Sequence, residues 1–270
     1  MNFFQKLFGG KEENKEETKA ASEAKDFEVL KYDGVRAMKS GENDYALRCF
    51  KHALELQEDY EIRDYLSIVY ARTGQLSEAY EQLLKLSEVQ PDNQQIFIRM
   101  ANIAYMMEDY GIMSNACEKA LLIDKENPEV SYLYAQATKG QGDDVNTVAM
   151  ATKAISLNDS YGDAYLLRGE TLLRMQQLEE ADADAQWLLE HTEDNEDVLL
   201  LKARIERARN NAPLALEYFS KVIDASPFSI AAFRERGLLY EETGETDKAK
   251  EDLEKADELQ RDAEVLTGNR

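Results

Sequence analysis

Two histidines, His52 and His191, and two cysteines, Cys49 and Cys117, are the side chains best suited to metal binding or nucleophilic chemistry in this sequence. A structural zinc site draws on four such ligands at short, paired spacings, and an activated thiol needs a base beside it. Neither histidine has a Cys, His or carboxylate partner at metal-ligand spacing. The cysteines stand too far apart to form a disulfide framework or a ligand pair. The run EEADADAQ at 179–186 has the acids of a calcium loop without its glycine, and it interrupts no helical pattern, so it reads as a solvated helix face. There is no glycine-rich phosphate loop, no nucleophile elbow and no patterned carboxylate pair. The expectation is a protein without catalysis, cofactor or metal. His52 lies beside the small Ala53, and His191 ends a predicted helix and reads as structural. Cys49 and Cys117 read as small buried hydrophobes of a reducing compartment. Trp187 and the tyrosines read mostly as packing residues.

The elements that carry these residues must be helical. Of 270 residues, 43% are hydrophobic, enough for a core, while 13 Gly and 4 Pro are too few for the turns of a sheet protein. The net charge of −22 repels polyanions at long range, which argues against DNA, RNA or a strongly anionic membrane as the main ligand. The opening MNFFQKLFGG is too short an apolar run for a secretory leader, and no stretch approaches the ~20 apolar residues of a membrane span. These features predict a cytoplasmic protein, with peripheral contact at the inner face of a membrane as a further option. Phe3, Phe4, Leu7 and Phe8 could line a short amphipathic foot or docking peptide on a tether. Ten residues with one Lys bind a membrane weakly at best, and the same residues read more simply as a disordered terminus or a turn folded back on the first helical hairpin. Residues 11–26 are poor in apolar side chains and are expected to be disordered, or a frayed extension of the first helix.

One segment repeats. GENDYALRCFKHALEL begins at residue 41, and related segments begin at 74, 108, 142, 176, 210 and 244, a step of 33 and then five of 34. Each unit holds two patterns of apolar residues at three-to-four spacing, the signature of amphipathic helices. In the first unit these run over about 27–39 and 43–56. Pro91, Pro128 and Pro227 fall after second helices, and Pro213 near the start of one. Small residues recur where two helices must cross closely: Gly34, Gly169 and Gly237 in first helices, and Ala46, Ala79, Ala181, Ala215 and Ala249 in second helices. Ala53, Ala120, Ala154 and Ala256 fall where a second helix meets the next unit. Phe50, Leu83, Phe219 and Leu253 fill the space between.

This pattern resembles the tetratricopeptide repeat (TPR), a 34-residue helix–turn–helix unit. The resemblance covers residues 27–263 as seven repeats: 27–59, 60–93, 94–127, 128–161, 162–195, 196–229 and 230–263. It leaves 1–26 as a flexible N-terminal segment with an amphipathic start and 264–270 as a tail. It departs from the family pattern at Met113 and Thr147, where a small residue is usual, and at Glu206, where an aromatic is. What it implies is an all-α, right-handed solenoid of stacked antiparallel hairpins. The charged last helix serves as its own cap, and the implied function is a scaffold or adaptor that binds a protein or peptide, not nucleic acid.

In this family the first helices line a concave groove. Carried onto this chain, the groove positions hold Lys31, Lys39, Arg72, Arg99, Lys139, Arg174, Arg204, Arg207 and Arg234, against Asp64, Glu170, Glu235, Glu241 and Glu242. Glu28, Glu61, Glu129, Asp163 and Asp197 stand at one margin, and Asn102, Tyr105, Tyr132 and Gln136 near the middle. Two readings stay open: a groove that holds acidic groups of a partner by charge-assisted bonds, or inter-repeat ion pairing of each base with a neighbouring acid. The family's clamp for a C-terminal carboxylate would fall on Lys31, Val35, Tyr65, Gln95 and Arg99. Both of its asparagines are missing there, so no chaperone-tail clamp is expected.

Overall fold

The structure is a computed structural model describing residues 3–193 and 195–268, with side chains over 19–193 and 195–265. Among the described residues there are fourteen helices and no strand: α1 (Phe3–Ser40), α2 (Asn43–Leu56), α3 (Tyr60–Arg72), α4 (Leu76–Val89), α5 (Gln94–Met106), α6 (Tyr110–Ile123), α7 (Pro128–Gly140), α8 (Asp144–Leu157), α9 (Gly162–Arg174), α10 (Leu178–His191), α11 (Glu196–Ala208), α12 (Ala212–Ala225), α13 (Ile230–Thr243) and α14 (Thr246–Gly268). They fall into two compact units, residues 1–125 with α1–α6 and residues 126–270 with α7–α14. In each unit an odd-numbered helix packs against the even-numbered helix after it, and that helix packs against the next hairpin. This is the stacked-hairpin arrangement of an α-solenoid.

The turn inside every hairpin has one solution. One or two residues past the end of the first helix the chain takes a left-handed conformation, at Gly41, Gly74, Glu108, Gly142, Gln176, Asn210 and Gly244, with φ from 56° to 84°. These are the seven points at which the sequence repeat starts. Glycine adopts that conformation freely, whereas a side chain there costs about 1–2 kcal/mol. Between hairpins, side-chain oxygens cap the next first helix. Asp59 accepts from the Ile62 N–H at 2.9 Å, Asn195 from Val198 at 3.2 Å, and Ser229 from Ala232 at 3.3 Å. Asn127 caps α7 immediately before Pro128, whose missing N–H is harmless at that position.

The small residues sit at the crossings. A Cβ on Gly34 would fall 2.6 Å from Phe50 Cε1, one on Gly169 2.9 Å from Leu201 Cδ2, and one on Gly237 2.9 Å from Leu253 Cγ. Ala46, Ala79, Ala181 and Ala215 are fully buried, as are Ala53, Ala120, Ala154 and Ala256. In the second unit the core continues from hairpin to hairpin. Leu172, Leu188, Val198 and Leu201 join α9, α10 and α11, and Leu199, Phe219, Val222 and Leu239 join α11, α12 and α13.

α1 is longer than the apolar pattern of 27–39 predicts, because its helix takes in the backbone from Phe3 onward. The added stretch is rich in Lys, Glu and Ala, strong helix formers with no breaker after Gly10. The apolar face expected of MNFFQKLFGG lies outside the described side chains. No helix among the described residues is long and apolar enough to cross a membrane.

Candidate functional site

In the first unit the first-helix face is built from α1, α3 and α5. Lys31 on α1 reaches Asp59 at 2.8 Å and Glu61 at 2.6 Å. Burial alone would lower its pKa, but the bonds to both carboxylates outweigh that and raise it well above the ordinary lysine value. On α5, the Arg99 guanidinium bonds Asp64 and the Ser67 hydroxyl of α3. Both cations are thus joined to a neighbouring repeat. Arg72, the last residue of α3, differs: it donates to the Met38 carbonyl at 3.2 Å and meets no carboxylate among the described residues. Lys39, in the last turn of α1, is exposed and likewise without an ion pair among them. The C-terminal turn of α5 presents Asn102, Tyr105 and Met106 to solvent, with Tyr105 47% and Met106 55% exposed, while Val35 on α1 and Ile68 and Ala71 on α3 are half-buried. A 340 Å³ pocket on the N-terminal side is lined by Tyr60, Glu61, Asp64, Gln95, Ile96 and Arg99.

In the second unit the expected bases form a ladder of ion pairs. Lys139 meets Glu170 at 2.8 Å, Arg204 meets Glu235 at 2.6 Å, and Arg207 meets Glu242 at 2.5 Å, each pair joining one first helix to the next. Arg174 holds both oxygens of Asp144 through Nε at 3.0 and 3.1 Å. Arg234 stands 3.6 Å from Asp257. Tyr132 and Gln136 turn toward each other, with the amide donating to the phenol oxygen at 3.3 Å, and Tyr132 packs on Tyr161 with ring centres 5.0 Å apart. Arg99, Lys139, Arg204 and Arg207 therefore act as struts between repeats, and they occupy four of the five acids at the groove positions.

A deeper polar layer escapes the family pattern. Arg168, Lys202 and Arg236 occupy the same place in successive first helices, where a large apolar residue is usual. Arg168 holds Asp184 through two bonds of 2.9 and 2.6 Å and reaches Thr152. Arg236 repeats the arrangement with Asp252 and Ser220, two repeats on. Lys202, 7% exposed, joins Asp182 and Glu206, and Asn211 donates to the second Glu206 oxygen at 3.0 Å. This explains Glu206 at an aromatic position. The signal was in the sequence: three cations 34 residues apart, with an acid 16 residues beyond the first and the third.

The remaining chemistry-bearing side chains have structural surroundings. Tyr165, Trp187 and His191 form a three-ring stack with centroid spacings of 3.9 and 4.1 Å, and His191 Nδ1 lies 2.7 Å from the Trp187 carbonyl. His52 is exposed, and both cysteines are buried free thiols. Burial pushes the Cys117 thiol up to about 12. Among the described residues no three His, Cys, Asp or Glu side chains gather as metal ligands.

Comparison with known proteins agrees with this geometry. Family models of the tetratricopeptide repeat match residues 160–230 and 235–262. Among curated proteins, cellulose synthase operon protein C of Pseudomonas fluorescens (strain SBW25) is 27% identical over 95 residues, which is 35% of this chain and 7% of that protein's length. Among solved structures, a tetratricopeptide repeat protein from Parabacteroides merdae superposes with a TM-score of 0.70 at 16% identity, over 90% of this chain and 97% of its own. YrrB, described as a TPR protein with an unusual peptide-binding site, gives 0.55 at 22% identity over 67% and 93%. PilW, a type IV pilus biogenesis factor, gives 0.61 at 17% over 78% and 94%.

Proposed function

This chain is a tetratricopeptide-repeat protein of about seven repeats, and from that premise we propose that it is a non-enzymatic scaffold whose first-helix face binds an extended or helical segment of a protein partner. The observation that carries the reading is the strip Asn102, Tyr105 and Met106 on α5. It is an exposed, uncharged, partly aromatic surface on a chain of net charge −22. An interface core is depleted of charge and enriched in Tyr and Met relative to ordinary surface, as this strip is. The peptide-binding site in the description of YrrB supports the reading by analogy of fold.

The test is site-specific photo-crosslinking in cells, with a photoreactive phenylalanine replacing Tyr105 on the first-helix face or Lys85 on the exposed side of α4. A partner crosslinked from position 105 and not from 85 is the expected result. Crosslinking from 85 alone overturns the groove. A second reading, an assembly adaptor seated on a membrane through residues 1–10, rests on Phe3, Phe4, Leu7 and Phe8. It predicts that the full chain sediments with liposomes and a chain starting at residue 11 does not. Equal behaviour of the two removes it.

A further inference from the structure

We infer that the anion-accepting part of the groove is confined to the edge that Lys39 and Arg72 form in the first unit, and that it takes a short peptide segment with a carboxylate next to an aromatic or aliphatic side chain. This rests on the groove reading above and narrows it.

Which cations are already neutralised decides where a partner's acid can go. A cation tied to a carboxylate can accept a partner's acid only by releasing its own, so the exchange gains little. Lys31, Arg99, Lys139, Arg174, Arg204, Arg207 and Arg234 are all in this state. Among the described residues Arg72 and Lys39 are not. The Met38 carbonyl satisfies one of the five N–H donors of Arg72 but brings it no carboxylate among the described residues. That contact also brings the guanidinium to the C-terminal end of α1, next to Lys39 in sequence, so the two cations share one edge.

The apolar half of the site comes from the same edge. One repeat step beyond Arg72 the equivalent position is Met106, 55% exposed, with Tyr105 beside it at 47%. Ala71 and Ile68 on α3 and Val35 on α1 are half-buried. A segment lying along this edge would place a carboxylate on Lys39 and Arg72 and an apolar side chain toward Tyr105 and Met106. A wholly acidic segment would leave that apolar strip uncovered and face a chain of net charge −22. A basic segment would meet two cations that have no carboxylate partner among the described residues.

The experiment is selection of a phage-displayed random dodecapeptide library on the full-length protein, followed by fluorescence anisotropy of the enriched peptides. The expected peptides carry Asp or Glu within two residues of Leu, Ile, Phe, Tyr or Trp. Lys39→Gln/Arg72→Gln, which changes only exposed side chains, should weaken them by about tenfold or more, the loss of two charge-assisted bonds. Lys39→Glu/Arg72→Glu should weaken them further, while Arg204→Gln/Arg207→Gln should change affinity less than about twofold. No enrichment, enrichment of basic peptides, or indifference to the Lys39/Arg72 pair each overturns the inference. Photo-crosslinking of the enriched peptides from position 105 separates the two layers. Peptides that crosslink there but ignore Lys39 and Arg72 refute the partner chemistry and leave the groove standing. Peptides that do not crosslink there refute the groove itself.

Discussion

Replacing Lys202 by Met should destabilise the second unit more than losing any of the outer ion pairs. The ammonium lies 2.7 Å from Glu206 Oε1 and also bonds Asp182, and Lys202 and Glu206 are 7% and 3% exposed. At that separation and an effective dielectric near 20, the gross attraction to Glu206 is about 6 kcal/mol, most of it offsetting the cost of removing both charges from water. Removing one partner loses the attraction and leaves the desolvation cost, which for a bare buried charge is about 3–5 kcal/mol. Glu206 would keep Asn211 at 3.0 Å and Arg209 at 3.5 Å, so the lower end applies. Lys202→Met should therefore cost about 3 kcal/mol, and Lys202→Met/Glu206→Leu should recover most of it, since the pair itself is nearly neutral against an apolar filling and Asp182, which also loses its lysine, keeps Arg209 at 2.8 Å. Urea unfolding followed by far-UV circular dichroism measures both. A single variant that costs less than about 1 kcal/mol, or a double variant no better than the single, would refute the claim that the lysine's role is to neutralise a buried acid.

Four further outcomes are expected. Gln176→Gly and Glu108→Gly relieve left-handed strain at φ 62° and 56° and should stabilise by about 0.5–1 kcal/mol, whereas Gly142→Ala at φ 76° should cost about 1–2 kcal/mol, all read from urea midpoints. Gly34→Ala drives a methyl into the Phe50 ring and should cost about 1–3 kcal/mol, a loss that adding Phe50→Leu partly repairs. Asp59 and Asp182 are held below the usual carboxylate range: burial pushes each up, but bonds to Lys31, and to Lys202 and Arg209, outweigh it. Their stabilisation is complete above the unfolded value of about 3.9 and is lost as pH falls through the lower folded values, so Lys31→Met should raise the acid-unfolding midpoint in a pH titration. Cys117, pushed up to about 12, should resist an aromatic disulfide reagent at pH 8 until denaturant is added.

The architecture was readable because its constraints are local and repeat. A left-handed residue after each first helix and a small residue at each crossing must recur every 34 positions, and Gly41 and Ala46 announce both. The candidate groove was only half readable. Repeat positions place Arg99, Lys139, Arg204 and Arg207 on the first-helix face, but they do not say whether a base faces a partner or Asp64, Glu170, Glu235 or Glu242. That depends on side-chain reach between helices 31–35 residues apart. Lys202 and Glu206 were harder still, since each contradicts the apolar pattern alone and the two make sense only together.

Trp187 is the chain's single tryptophan, and it sits between Tyr165 and His191 in the fifth hairpin. Its emission is therefore a local gauge, sensitive to whether that one stack is intact and blind to the hairpins of the first unit. Far-UV dichroism sums over every helix. In a protein whose repeats touch mainly their neighbours, stability is carried segment by segment. Following one denaturation with both signals gives a direct readout of cooperativity: coincident curves mean the second unit melts with the rest, and separated curves give the order in which the pieces come apart.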